Sequence, residues 1–408
     1  MAMEPIPVFE HQPLKVGEKG FEKSHLQSLE KFLGNNDETT FPYYTLIHNG
    51  VKFRNYVGVL CVNGLTIEVL PKTDRDTQGD NYWRKKLLLM LSQVYKLDVK
   101  SPSDAHQEIS TSSPILDVFI KRFLDEVNSL LNRGLVKCYH KEEGNRTALK
   151  GKLLIGEQLR RNFVHKERFY VRYTTYDYEH VMNCLLRQAL EVAVSVSQNA
   201  NIRGSAASTL FNFPELQEIP VSSQLFDNLV FDRKTEDYRM AIKLAKLLLL
   251  HSVPNRIGTG DQILALMFDM NKLWEEYVYI MLRRYLTGYE VRAQEVKRFW
   301  QQESGAYKTI RPDLVVKDKQ SNVVAILDTK WKCPDDTPSD GDLHQMFVYS
   351  KMFKTDKVAL VYPSIGNDSS RYAHFLDSCS NPTASCDMLS LKIDETNFGS
   401  SIKKWLST

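Results

Sequence analysis

The chain has 408 residues, with 53 basic and 50 acidic side chains and a formal net charge of +3 at pH 7. The length predicts two or three domains, and the small net charge does not by itself indicate a nucleic-acid partner. No apolar run is long enough to cross a bilayer. The first residues lack the basic and apolar regions of a signal peptide, so we expect a cytoplasmic protein with no membrane partner.

The six cysteines lie at positions 61, 138, 184, 333, 379 and 386, and none forms a C-x-x-C pair. This spacing speaks against a zinc ribbon or a disulfide framework. The last three have no fourth cysteine suitably near to complete an iron–sulfur site. Buried free thiols are therefore the expectation.

Residues 1–100 are predicted to form a small β-rich domain. Short strands are expected around residues 43–48, 55–62 and 65–70, and a helix from about residue 80 to 95 closes the unit. The dipeptide Asn63-Gly64 is a strong signal for a tight hairpin turn between the last two strands.

Residues 101–255 are predicted to form a mixed region of helices and β-ribbon. Its helices are expected at about 114–132, 178–198 and 236–251. A turn-rich junction at 253–260 ends the region, so we expect few contacts to cross it.

Basic side chains concentrate in this middle region, and tyrosines follow them closely. The basic set includes Lys150, Lys152, Arg160 and Arg161. Basic groups contact phosphates and tyrosines stack on bases, so one interpretation is a DNA-binding surface. The alternatives are a charged ribbon with tyrosines on its dry face, or a surface for an acidic protein partner.

Residues 256–408 contain the most informative pattern in the chain. Two apolar runs at 310–316 and 323–330 predict adjacent strands, joined by a polar turn and therefore antiparallel. The first run carries Asp313, and the second ends in Asp328 and Lys330. Because residues i and i+2 of a strand share a face, Asp328 and Lys330 are expected to project together, with the residue between them pointing away.

Two adjacent carboxylates predict a site for a hard divalent cation. Mg²⁺ prefers carboxylate and carbonyl oxygens, which Asp313, Asp328 and the backbone carbonyl of Thr329 would supply. Such a site holds a phosphate and activates a water. Lys330 would orient that water or stabilise the negative charge of the developing phosphorane. The alternative is an ordinary β-hairpin with solvent-exposed charges, but the order of the motifs favours a metal site.

Helices are expected on both sides of this hairpin. Apolar spacing between residues 262 and 286 predicts one long helix upstream. Glu275 and Glu276 lie at the margin of its buried face, and periodicity does not choose between them.

Downstream, residues 342–349 predict a second helix after a loop rich in Pro and Asp. Gln345 and Tyr349 are four residues apart and share one face of that helix. Both could support the carboxylates, and ordinary amphipathic packing is the alternative for Tyr349.

The chain resembles RecB-like PD-(D/E)xK nucleases in the order of its motifs. These are a helix with Glu, a PD strand, a DxK strand and a Gln-x-x-x-Tyr helix. More specifically, it resembles the McrC family, the nuclease subunit of McrBC-type modified-cytosine restriction systems. The matching segments keep the family's order over nearly the full length: 56–60, 65–72, 149–153, 159–162, 178–180 with Asn183, 273–275, 311–313, 327–330, and Gln345 with Tyr349.

The resemblance implies an α+β multidomain protein whose C-terminal domain has the restriction-endonuclease fold, a mixed sheet flanked by helices. It implies a Mg²⁺-dependent deoxyribonuclease, with Mn²⁺ as a substitute, in which Asp313, Asp328, Lys330 and Glu275 are catalytic. It also implies a McrB-like AAA+ GTPase partner that the N-terminal portion contacts and stimulates. The sequence lacks a phosphate loop of its own. A stand-alone RecB-like nuclease and a non-cutting activator of an AAA+ NTPase are the alternatives.

Overall fold

The structure is a computed structural model, and it describes residues 5–34, 42–71, 79–95, 115–250, 252–253, 263–332, 337–364, 370–393 and 395–407. The chain divides into two compact units, one formed by Met3–Val118 with Gly258–Thr408 and the other by Phe119–Ile257. The predicted mixed α+β organisation is confirmed. No helix within these described ranges has the length and apolar character that a membrane span requires.

The N-terminal part of the first unit has the predicted hairpin. Its elements are β1 (Ile6–Phe9), β2 (Pro13–Lys15), α1 (Lys23–Gly34), β3 (Tyr44–Ile47), β4 (Gly50–Phe53), β5 (Tyr56–Val62), β6 (Leu65–Leu70) and α2 (Asp80–Tyr95). The hairpin turn at Asn63 and Gly64 has positive φ at both residues, as a primed turn requires. β1 pairs parallel with β6, while β2, β4 and β3 form a separate small sheet. The sequence did not predict β4.

The second unit contains the middle part of the chain. Its elements are α3 (Ile115–Arg133, which begins at the end of the first unit), β7 (Cys138–Arg146), β8 (Lys152–Leu153), α4 (Ile155–Arg161), β9 (Phe169–Asp177), α5 (Val181–Val196), α6 (Ala200–Asn212), α7 (Ser223–Asp227), a 3₁₀ turn (Glu236–Tyr238), α8 (Arg239–Leu250) and β10 (Ser252–Val253). The three predicted helices correspond to α3, α5 and α8. The predicted junction lies almost wholly outside the described residues.

One predicted helix is wrong over its first third. Residues Ile263–Asp269 form strand β11, and the helix α9 covers Met270–Tyr285. The first six residues of β11 are buried, and a short, fully buried apolar run does not reveal its period in the sequence. β11 pairs antiparallel with β5. Gly58 makes this approach possible, because a Cβ there would lie 2.1 Å from the Leu266 carbonyl oxygen.

The C-terminal part of the chain builds a six-stranded mixed sheet. The remaining elements are β12 (Glu290–Ala293), β13 (Lys297–Gln301), β14 (Tyr307–Ile310), β15 (Leu314–Lys317), β16 (Val323–Thr329), α10 (Asp340–Phe353), β17 (Lys357–Ser364), β18 (His374–Leu376), β19 (Pro382–Lys392) and α11 (Glu395–Ser407). The strand order is β12-β15-β16-β17-β19-β18, with β13 and β14 paired outside this sheet. β15 and β16 are antiparallel as predicted, whereas β16, β17 and β19 are parallel. α10 packs on the sheet through Met346, Tyr349 and Phe353.

The division of the chain into 1–100, 101–255 and 256–408 stays a prediction. The first and third of these ranges contribute to the same compact unit, and β11 from the third pairs with β5 from the first.

Candidate active site

The two predicted carboxylates lie next to each other at one end of the β15–β16 hairpin. Leu314 pairs with Leu327, so Asp313 and Asp328 occupy the next positions on the facing strands. The predicted strand over 310–316 is interrupted, however: β14 ends at Ile310 and β15 begins at Leu314. Pro312 has no N–H to donate to a sheet ladder, which accounts for a break here.

Thr329 does not point away from the site as its strand position predicted. Its backbone N–H and its hydroxyl both donate to Asp313 Oδ2, at 2.8 and 2.9 Å. The pairing of β15 with β16 ends at Leu314 and Leu327, so the Asp313 side chain is free to reach Thr329, which still pairs with Val361 of β17. Thr329 therefore fixes the orientation of the Asp313 carboxylate.

Asp328 is only 2% exposed. Its Oδ1 accepts a hydrogen bond of 3.3 Å from Gln345 Nε2, and its Oδ2 lies 2.8 Å from Lys330 Nζ. Burial raises the pKa of Asp328 to about 6, and the neighbouring charge of Asp313 contributes to this shift. A carboxylate in this setting is costly to ionise unless further positive charge is supplied.

Lys330 projects toward Asp328 as predicted and also contacts Asp342, at 3.2 Å. Burial alone would lower the pKa of the Lys330 ammonium, but the Asp328 and Asp342 carboxylates outweigh burial and raise it above its ordinary value. Lys330 is thus cationic at neutral pH. The next residue, Trp331, donates to Glu10 Oε1 at 2.8 Å, which anchors this end of the strand.

The structure separates Glu275 from Glu276. Burial raises the pKa of Glu275, and the charges of Asp313, Glu276 and Asp328 add to the effect. Glu276 is exposed. Gln294 donates its side-chain amide to Glu275 and its backbone N–H to the Asp313 carbonyl. Gln294 was missed in the sequence; a loop residue with φ +56° carries no periodic signal.

Gln345 and Tyr349 lie on one face of α10, as their spacing predicted. The Gln345 amide donates to both Asp328 and the Tyr349 hydroxyl, the latter at 2.7 Å. The Tyr349 hydroxyl in turn donates to the carbonyl of Arg311 at 3.2 Å. Through these hydrogen bonds the two side chains connect α10 to Asp328 on one strand and to Arg311 before the other. Tyr349 therefore does more than pack against the sheet.

The charges of this cluster suit a divalent cation. Asp313, Asp328 and Glu275 raise the local negative charge, and no described ion pair involves Asp313 or Glu275. In addition, the buried Oδ2 of Asp328 has the Lys330 ammonium beside it but no hydrogen bond from another described donor. Oxygen ligands in excess of positive charge are the environment that Mg²⁺ or Mn²⁺ prefers. The three carboxylates and the Thr329 carbonyl are the ligands available.

The predicted basic surface lies in the other compact unit, on β8, α4 and the adjoining turn. Lys150, Lys152, Arg160 and Arg161 are all exposed. The two arginines share Glu157 as an ion-pair partner, at 2.8 and 2.7 Å. Lys150 lies over the ring of Tyr173, and Arg161 over that of Tyr170. Glu157 therefore partly neutralises both arginines. A role of this surface in binding DNA stays a prediction.

A second group with metal-ligand chemistry was missed in the sequence. His140, Glu142 and Asp177, on the paired strands β7 and β9, each place a ligand atom within 4.8 Å of the others. His140 and Glu142 are two apart on one strand, but Asp177 becomes their neighbour only through pairing over more than thirty residues. We call these three residues the His140 group.

Comparison with known proteins gives a family and a fold. Residues 51–363 match the family described as McrBC 5-methylcytosine restriction system component. The fold is similar to a chain of the half-complex from the tetradecameric assembly of Thermococcus gammatolerans McrB AAA+ hexamers with bound McrC: 19% identity, TM-score 0.66, covering 98% of this chain and 100% of that one. The Thermococcus gammatolerans McrBC complex matches with 21% identity and TM-score 0.47, over 69% and 88%. No curated protein gives a match.

Proposed function

Because this chain belongs to the McrBC 5-methylcytosine restriction system component family, we propose that it is the subunit of such a system that cuts DNA. The supporting observation is the convergence of Asp313, Asp328 and Lys330 at one end of a buried hairpin, with Glu275 beside them. That set has the composition of a PD-(D/E)xK nuclease centre, and the C-terminal sheet would be its nuclease domain.

Asp313, Asp328 and the Thr329 carbonyl would hold Mg²⁺, or Mn²⁺ in its place. The ion would supply Lewis-acid chemistry, namely stabilisation of negative charge on a phosphodiester and a nucleophilic water at neutral pH. The protein's own part is to fix the ligands in advance. Thr329 orients Asp313 by two hydrogen bonds, and Gln345 orients Asp328.

Lys330 acts as a cation and hydrogen-bond donor in this proposal. Because the nearby carboxylates keep its pKa high, the ammonium holds its proton and is a poor acceptor for a proton from water. It instead donates to oxygens that become negative as the phosphodiester is attacked. Glu275 is held by Gln294 near the same carboxylates, where it can accept a proton or complete the ligand set.

The partner in this proposal is a McrB-like AAA+ GTPase. The relative with bound McrB hexamers supports this through fold alone, since its identity to this chain is 19%. Family membership disfavours a stand-alone RecB-like nuclease, and the complete carboxylate and lysine set disfavours a non-cutting activator. DNA is the substrate, and the family description points to 5-methylcytosine as the modification.

The test is cleavage of methylated plasmid DNA by the chain with its AAA+ partner, GTP and Mg²⁺. Asp328→Asn should abolish cleavage, and a chelator should stop the unchanged protein. Asp318→Asn is the matched control: Asp318 lies in the turn at the other end of the same hairpin, and asparagine keeps a cap for the turn. Cleavage by Asp328→Asn at the rate of the unchanged protein would refute the proposed centre.

A further inference from the structure

Strands β13 and β14 form a ribbon, residues 297–310, that stands apart from the six-stranded sheet. Every residue of β13 and three of the four in β14 are exposed. A two-stranded ribbon alone is marginally stable in water, yet this one exposes large aromatic side chains. Trp300 is 48% and Tyr307 is 50% exposed. Neighbouring exposed aromatics on a free-standing element indicate a binding surface.

Each face of the 297–310 ribbon combines a cation with an aromatic ring. Trp300 pairs directly with Lys308, so these two side chains share one face. Tyr307 points to the opposite face, where the guanidinium of Arg298 lies 4.1 Å from its ring centroid. A bulge between Arg298 and Trp300 shifts the register and makes this arrangement possible.

Both ends of the ribbon are attached to the candidate active site. Before β13, Gln294 donates its backbone N–H to the Asp313 carbonyl at 2.8 Å and its side chain to Glu275. After β14, the Arg311 carbonyl accepts the hydrogen bond of Tyr349. The base of the ribbon therefore lies beside the carboxylates.

The charge of the ribbon selects among ligands. Its 14 residues carry three basic side chains, Lys297, Arg298 and Lys308, and one acidic side chain, Glu303. Lys297 is held at the base by the Met352 carbonyl, which leaves Arg298 and Lys308 on the projecting part. Cations beside exposed rings suit a polyanion whose bases or sugars offer flat surfaces.

We propose that the 297–310 ribbon grips duplex DNA next to the bond that is cut. Arg298 and Lys308 contact phosphates, and Trp300 and Tyr307 pack against sugars or base edges. A two-stranded ribbon has the width that a major groove admits. This inference rests on the proposed nuclease function, and it assigns to the nuclease region a DNA contact of its own, distinct from the basic surface near Lys150.

The experiment compares two double variants. One carries Arg298→Ala and Lys308→Ala in the ribbon, and the other carries Lys403→Ala and Lys404→Ala as the control. The control pair removes the same charge from exposed positions on α11. Binding of the full-length chain to a fluorescent duplex is measured with chelator present, at several salt concentrations. The ribbon variant should bind about ten-fold more weakly at low salt, and the slope of log K against log salt should fall by about two.

A third variant, Trp300→Ala with Tyr307→Ala, separates packing from charge. It should weaken binding by about ten-fold or more at unchanged salt slope. Circular dichroism and melting temperature confirm that each variant is folded. Equal binding by the ribbon and control variants overturns the proposal, as does a full-length chain that fails to bind duplex at low salt.

Two further outcomes are informative. If the ribbon variants bind DNA normally but no longer stimulate the GTPase of the AAA+ partner, the ribbon is a protein contact and the proposal is wrong. DNA binding by the chain requires neither the metal nor cleavage. The binding measurement therefore distinguishes failure of the proposed nuclease function from failure of the ribbon proposal. Ribbon-dependent binding without any cleavage by the unchanged protein refutes the nuclease function alone, whereas cleavage that is insensitive to the ribbon variants refutes the ribbon alone.

Discussion

Asp328 of the candidate active site is buried and Asp313 and Glu275 are partly buried, whereas the carboxylates of the His140 group lie on a partly exposed ribbon. At Asp328, burial raises the pKa, and the chain leaves the negative charge incompletely balanced. At Glu142, hydrogen bonds from Tyr173 and His140 lower the pKa. Among the described residues only the His140 group places three ligand atoms within 4.8 Å of one another, yet only the candidate active site carries an electrostatic reason to take up a cation. Proximity of ligands alone is therefore a weak guide to a metal site.

The sharpest test of this difference is to remove one ligand from each group. Asp313→Asn should abolish both Mn²⁺ binding, measured by calorimetry, and DNA cleavage. His140→Ala should leave cleavage within about two-fold of the unchanged protein, because surface substitutions away from a site have small effects. If His140→Ala also abolishes Mn²⁺ binding, the metal lies on the β7–β9 ribbon and the comparison is reversed.

A substitution of Lys330 should affect chemistry more than metal binding. Lys330→Met keeps most of the side-chain volume and should reduce the cleavage rate by about 100-fold or more, because a donor to the developing charge is lost. Mn²⁺ affinity should change by no more than about three-fold. Restoration of the full rate by excess Mn²⁺ would instead show that Lys330 only supports the ligands. Lys332→Met is the matched control, because Lys332 lies two residues further along, is exposed and contacts the same Asp342 carboxylate but not Asp328.

Gln294 should contribute to DNA cleavage by orienting the side chain of Glu275. Gln294→Asn tolerates the left-handed backbone but shortens the side chain, so the hydrogen bond to Glu275 is lost. We expect about a ten-fold loss of cleavage, typical of a residue that orients a ligand. Glu275→Gln should give a defect of similar size, and the double variant should be no worse than either single one. Additive losses would mean that Gln294 acts independently of Glu275.

The incompletely balanced negative charge of Asp328 should also lower the melting temperature of the metal-free protein. In chelator at pH 7, Asp328→Asn removes a buried charge whose ionised form the fold disfavours, while Lys330 keeps Asp342 as a partner. The melting temperature should rise by roughly 2–4 °C, as expected for about 1 kcal/mol. Glu142→Gln removes a charge that hydrogen bonds favour and should give no rise. A lower melting temperature for Asp328→Asn contradicts the electrostatic account.

The smallest expected effect is on the partner. Asp328→Asn should leave stimulation of the GTPase of a McrB-like partner unchanged, because the substitution is buried and presents no altered surface. The full-length variant is the right reagent here. A fragment that ends near residue 250 lacks β11 and leaves β5 without its neighbour on one side. Loss of stimulation by Asp328→Asn would mean that the carboxylate pair and the partner surface are coupled.

The sequence predicted best where the contacts are local. The β15–β16 hairpin, the turn at Asn63 and Gly64, and the shared face of Gln345 and Tyr349 follow from spacing within a few residues. β11 was predicted as helix because its partner strand lies about 200 residues away, and a buried strand does not alternate. Gln294 was missed for a similar reason: its role depends on the arrangement of α9 and Asp313 around it.

The pairing of β5 with β11 has a consequence for how the chain is made. During translation β5 and its hairpin partner β6 emerge early, but β11, the neighbour of β5 on the other side, does not exist until residue 269 has left the ribosome. At about 5–20 residues per second, that interval is on the order of 10 to 40 seconds. Asp313 and Asp328 are synthesised later still. The candidate active site therefore forms only after β11 has been made, and a prematurely terminated product carries an open sheet edge that quality-control proteases can recognise.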